Sequence, residues 1–168
     1  HEGPMWRPKA STAFDFEGEL VVVIGKGGRA IKPENALSHV AGYTCFCDGS
    51  VRDFIKVSLV TGKNFPMSSP LGPWMTTADE IPDPSKLTLT TRLNGQQMQH
   101  SGVDMLMHDV PALIEYCSQF TELEPGDRVA AFALIGLVLW LAVLALTLHF
   151  IMLSTDRFNW IEGPRASR

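Results

Sequence analysis

Cysteine is scarce in this chain and wrongly spaced for a stapled or zinc-bound fold. Of 168 residues only Cys45, Cys47 and Cys117 are cysteine. An odd number with no C-x-x-C pair suggests neither a disulfide framework nor a zinc site. Small buried thiols in a reducing compartment are the expectation that remains. Basic charge is not in excess either: 14 Lys and Arg stand against 18 Asp and Glu, a formal net charge of -4. Nothing in that balance marks a nucleic-acid partner. The chain begins at His1 rather than Met, and no charged stretch followed by a short apolar run opens it. A secretory signal peptide is therefore not expected there, and a processed or truncated start is.

What is present is unevenly distributed. Hydrophobic residues make up 45% and charged residues 19%, ordinary for a globular protein, but up to about Asp127 the text is mixed, broken by Pro and Gly, and holds nearly all the acids. From Val129 to Leu153 there is no formal charge, and only Thr147 and His149 are conspicuously polar. About 25 residues at about 1.5 Å rise span roughly 37 Å, enough to cross a hydrocarbon core about 30 Å thick. Soluble helices rarely stay apolar all round for so many turns. The run predicts a single transmembrane α-helix, with Asp127 and Arg128 before it and Asp156 and Arg157 after it.

His149 falls one turn inside the far end of that span. An imidazole there needs a partner, and spacing alone favours an interfacial or interhelical bond over a metal or pigment. Trp160 with Phe158 reads as part of an aromatic belt. The run LHFIMLSTDRFNWIEG, residues 148 to 163, however, resembles the C-terminal half of the α polypeptide of the core light-harvesting complex of purple photosynthetic bacteria. That resemblance implies that His149 ligates the magnesium of bacteriochlorophyll a and that Trp160 hydrogen-bonds its acetyl group. It further implies a carotenoid, a light-harvesting β polypeptide, neighbouring α subunits in a ring, a photosynthetic reaction center and membrane lipid as partners. The implied location is the bacterial inner (intracytoplasmic) membrane, single-pass, with the N-terminal part cytoplasmic. Arg157, Arg165 and Arg168 outnumber Arg128 near the span and would favour the opposite orientation.

Ahead of this span the pattern is α+β. FDFEGELVVVI, residues 14 to 24, alternates and then runs into β-branched residues bounded by Gly25, which predicts a strand. Alternation places Glu17 and Glu19 on one face. Joined by a third carboxylate they could hold Mg²⁺ or Ca²⁺, although spacing alone favours a solvated acidic face. Gly25-Lys26-Gly27-Gly28-Arg29 lacks the spacing of a phosphate-binding loop and reads as a hairpin turn. Pro33 opens a short helix through Val40. AGYTCFCDGS predicts a second strand ending in a turn at Asp48-Gly49, and Thr88 to Leu93 followed by Asn94-Gly95 predicts a strand and hairpin. Val110 to Phe120 reads as a helix.

The words EGELVVVIGKGGR, VAGYTCFCDGSVRDF, GKNF, PLGPWMTTADEIPDP, LTTRLNGQQMQH and LIEYCSQFTELEPGD resemble, in this order, the C-terminal domain of the fumarylacetoacetate hydrolase family, over about residues 4 to 127. The resemblance implies a mixed β-roll that binds a divalent metal through Glu17, Glu19 and Asp48. Lys63 of GKNF would lie near metal and substrate as the catalytic candidate if the domain is active. Relatives cleave acylpyruvates or decarboxylate oxaloacetate. Against this pattern, the upstream lid with its His and Glu would precede residue 1, Ile55 stands where Gln is usual, the stretch before Gly62 is about two residues short, and a T-G-T-P segment does not follow Asp127. These departures argue against preserved hydrolase activity.

The expectation is therefore a truncated fumarylacetoacetate hydrolase-like domain at 1–126 followed by a light-harvesting α-type transmembrane segment at 127–168. Its function would be that of an antenna subunit with a non-catalytic extension. The alternative is a membrane-anchored, Mg-dependent acylpyruvate hydrolase or oxaloacetate decarboxylase.

Overall fold

The computed structural model describes residues 1–132. In chain order it contains β1 (Phe14–Ile24), α1 (Pro33–Ala36), β2 (Val40–Val51), α2 (Arg52–Ile55) and α3 (Leu59–Lys63). Then come β3 (Thr76–Thr77), β4 (Thr88–Leu93), β5 (Gln96–Gly102), α4 (Val110–Phe120) and β6 (Arg128–Phe132). Four strands form one sheet in the order β3-β2-β1-β6, and β4 and β5 form a separate hairpin. This is the α+β fold expected for the N-terminal part.

β1 spans the residues its alternation predicts, and from Gly18 onward it is buried on both faces except at Val23. Leu20, Val22 and Ile24 enter the main core with Tyr43, Leu123 and Val129. Val21 turns the other way onto Phe46 and Ala130. Against the first face packs α4, whose buried residues Val110, Leu113, Ile114 and Cys117 recur at the spacing of one helical stripe. Asp109 caps that helix by accepting from the Ala112 N–H at 2.9 Å, which satisfies one of the free donors of its first turn. Each fully buried Val, Leu or Ile of this core contributes roughly 1.5–3 kcal/mol.

Two turns expected from glycine-containing words are not turns. Gly25 to Arg29 begins a longer connection through α1, in which Gly28 bridges Leu123 and Gly25 bonds the carbonyl of His39. Asp48-Gly49 lies within β2, which continues to Val51. Glycine is required at 49 for another reason: a Cβ there would sit 2.0 Å from the Ser68 carbonyl oxygen, so its absence lets the segment after α3 cross the strand. Asn94-Gly95 does form the expected hairpin turn, with φ of 52° and 81°. Of the cysteines only Cys117 is buried, whereas Cys47 is half-buried and Cys45 exposed.

The transmembrane helix expected from Val129 starts instead as β6. This strand pairs antiparallel with β1 from Glu19↔Phe132 to Val23↔Arg128. Val129 is buried in the main core and Ala130 on the opposite face. A strand covered on both sides is apolar at every position, so over this stretch it reads the same as the beginning of an apolar helix. The rest of the expected span, with His149 and Trp160, lies outside the described residues. Among the described residues no helix is long and apolar enough to cross a membrane.

Candidate metal centre

β1 and β2 pair with Glu17 opposite Asp48 and Glu19 opposite Phe46. Residues paired across an antiparallel ladder share a face, and so do alternate residues along a strand. Glu17, Glu19 and Asp48 therefore project together on the side of Val21 and Phe46. One carboxylate oxygen from each lies within 4.8 Å of the other two. This is not a solvated face: Glu19 is 1% exposed, Asp48 0% and Glu17 9%.

Lys63, the last residue of α3, reaches into this cluster and is itself buried. Its Nζ donates to Glu17 Oε2 at 2.5 Å, to Ser50 Oγ at 2.7 Å and to Asp48 Oδ2. The short segment carrying Ile55 does not prevent this delivery. α2 and α3 pack so closely that a Cβ on Gly62 would come within 2.1 Å of Ile55 Cγ1. Arg52 holds the other oxygen, its Nη1 lying 2.7 Å from Glu17 Oε1 while Nη2 contacts Asp15 Oδ2 at 2.8 Å.

One buried ammonium does not satisfy three carboxylates. Glu19 Oε2 and Asp48 Oδ1 are buried with no hydrogen-bond partner, a condition that costs free energy in a low-dielectric interior. Burial first, then the charge of Asp48 and less so that of Glu17, push Glu19 up to about 8, against a lowering by Lys63. Burial also raises Asp48 above the usual carboxylate range, although its hydrogen bond to Lys63 works the other way. A hard divalent cation taking oxygen ligands would engage both orphaned atoms and neutralise the excess charge, so the donor set fits Mg²⁺, Mn²⁺ or Ca²⁺. The structure thus brings together the four residues singled out in the described part, Glu17, Glu19, Asp48 and Lys63. Arg52 and Ser50, which fix Glu17 and Lys63, carried no sequence signal of their role beyond lying in the word CDGSVRDF.

Residues 1–131 match the fumarylacetoacetate hydrolase C-terminal family. A mitochondrial oxaloacetate tautomerase of Xenopus laevis is 41% identical over 128 residues, covering 74% of this chain and 40% of its own length. A fumarylacetoacetate hydrolase of Exiguobacterium antarcticum is 35% identical with a TM-score of 0.73, covering 77% of this chain and 47% of that one. A fumarylpyruvate hydrolase of Pseudomonas aeruginosa, solved with Mn²⁺ and pyruvate, is 28% identical with a TM-score of 0.68, covering 76% and 65%. The chain thus spans about two fifths of the length of the curated relative.

These relatives correct the light-harvesting function and, with it, the inner-membrane location expected from residues 148 to 163. The proteins this chain resembles are named for tautomerising or hydrolysing small oxo acids, and the Xenopus protein as mitochondrial. A divalent metal, not bacteriochlorophyll or carotenoid, is what a solved relative holds.

Proposed function

The chain belongs to the fumarylacetoacetate hydrolase C-terminal family, and from that premise we propose that its carboxylate cluster holds a divalent cation and acts on 2-oxo carboxylates, moving a proton between their keto and enol forms. The observation that carries the proposal is the buried cluster itself: three carboxylates around one lysine, with two carboxylate oxygens left unpartnered. Similarity adds the substrate class, since oxaloacetate and pyruvate, named with two of the relatives, are both 2-oxo carboxylates.

Glu17, Glu19 and Asp48 would hold the cation, which when bound supplies Lewis-acid polarisation of a keto oxygen. Arg52 keeps Glu17 turned into the cluster through its contact with Oε1. Lys63 is held by Glu17, Asp48 and Ser50 with its ammonium among them. As a buried cationic donor it is the group available to stabilise an oxygen on which negative charge develops, or to hold a proton beside it. Sheet burial excludes bulk water from the carboxylates, which strengthens each of these interactions.

The test follows the enol absorbance of oxaloacetate with the full chain, Mn²⁺ and, in parallel, EDTA. We expect acceleration over Mn²⁺ alone that EDTA abolishes and Glu19→Gln removes. Acceleration that survives EDTA, or none above the metal blank, overturns the proposal. Cleavage of an acylpyruvate in place of tautomerisation would keep the cation and change the reaction.

A further inference from the structure

From Gln96 to His100 every residue of β5 is exposed except Gln99. Its side chain leaves the hairpin and reaches β1. Gln99 Oε1 accepts from the Gly18 N–H at 2.9 Å, and Gln99 Nε2 donates to the Phe16 carbonyl at 3.3 Å. Those two backbone groups flank Glu17.

They would otherwise belong to a strand. Among the described residues β6 pairs with β1 from Val23 to Glu19, and it is Gln99 that meets the outer edge of Phe16 to Gly18. Buried backbone donors and acceptors need partners, and a carboxamide is the one uncharged side chain that offers a donor and an acceptor in the spacing of a peptide. Gly18 lets the hairpin come this close. A Cβ there would lie 2.1 Å from Thr91 Oγ1 and 3.3 Å from Gln99 Oε1, and Thr91 is the residue paired with Gln99 across β4 and β5.

We infer that Gln99 is a positioning residue for Glu17, stapling the peptide units on either side of it so that its carboxylate stays aimed into the cation site. The inference rests on the cation reading proposed above. With the staple in place the direction of the Glu17 side chain is set before any cation arrives, with Oε1 toward Arg52 and Oε2 toward Lys63. Without it these peptide units are held from one side alone, by their pairing with β2, and the remaining order of the site must be supplied at the cost of binding energy. Groups that orient a metal ligand from outside the ligand set typically change metal affinity by about 10- to 100-fold when removed.

The experiment measures Mn²⁺ affinity of the full chain by electron paramagnetic resonance for wild type, Gln99→Met, Gln99→Glu and Thr90→Val. Gln99→Met keeps length without hydrogen bonds and should bind about tenfold more weakly, with faster hydrogen exchange at the Gly18 amide. Gln99→Glu keeps only the acceptor and should slow that exchange again without restoring affinity fully. Thr90→Val removes an exposed bond to His100 within the same hairpin and should leave affinity unchanged. Wild-type affinity in Gln99→Met, or an equal loss in Thr90→Val, overturns the role of Gln99 while leaving the cation site standing. Absence of Mn²⁺ binding by wild type overturns both.

Discussion

Replacing Lys63 by methionine keeps the stem of the side chain and removes its charge. In the metal-free protein this strips the donor from Glu17 Oε2, Asp48 Oδ2 and Ser50 Oγ at once. The lysine and aspartate side chains are 2% and 0% exposed and the glutamate 12%, so water does not screen the loss. Breaking a buried ion pair by removing one partner costs about 3–5 kcal/mol. At about 2–4 °C per kcal/mol for a chain of this size, melting should fall by roughly 6–20 °C. Protonation softens the blow, because the raised carboxylates can neutralise themselves; the drop should be smaller at pH 6 than at pH 8.5. A divalent cation relieves the same repulsion. Saturating Mn²⁺ should therefore raise the melting temperature of Lys63→Met by more than it raises that of wild type. Thermal melts with EDTA and with Mn²⁺ at the two pH values read all three effects. If Lys63→Met melts with wild type in EDTA, or if Mn²⁺ stabilises both equally, the electrostatic reasoning is wrong.

Glu19 also sets a pH dependence. Its folded pKa of about 8 lies above the ordinary glutamate value of 4.5, so between these the native state holds a proton that the unfolded chain has lost. Metal-free stability from this group is complete below about 4.5 and declines as pH rises toward 8. Metal binding must expel that proton, and calorimetry should find Mn²⁺ affinity rising by up to about tenfold per pH unit from 6 to 8; a flat profile would contradict the shift. Gly49→Ala places a methyl 2.0 Å from the Ser68 carbonyl oxygen and forces backbone apart. It should lower stability by about 1–3 kcal/mol in urea unfolding, as overpacking does, whereas an unchanged midpoint would contradict so close a crossing.

Local patterns carried much of the fold. The strand at Phe14–Ile24, the helix at Val110–Phe120 and the Asn94-Gly95 hairpin follow from alternation, a helical stripe and turn chemistry. The errors came where tertiary contacts override a local word. Asp48-Gly49 carries turn chemistry but serves a chain crossing, and the start of the apolar run after Asp127 is a strand buried on both faces. The site was legible only through family resemblance. Alternation puts Glu17 and Glu19 on one face, but spacing cannot say that Asp48 and Lys63 arrive from β2 and α3 or that the face is buried. Arg52, Ser50 and Gln99 act through long-range contacts with no local signature. His149 and Trp160, on which the pigment expectation rests, lie outside the described residues, and the family match over residues 1–131 with its enzyme relatives is the guide to function.

The most direct measurement titrates the metal-free full chain with Mn²⁺ at pH 8 and counts bound metal for wild type and for Glu17→Gln, Glu19→Gln and Asp48→Asn. The account predicts one cation per wild-type chain and a loss of affinity in each variant. A wild-type chain that binds no Mn²⁺, or variants that bind it as tightly as wild type, would contradict the claim that these three carboxylates form a metal site.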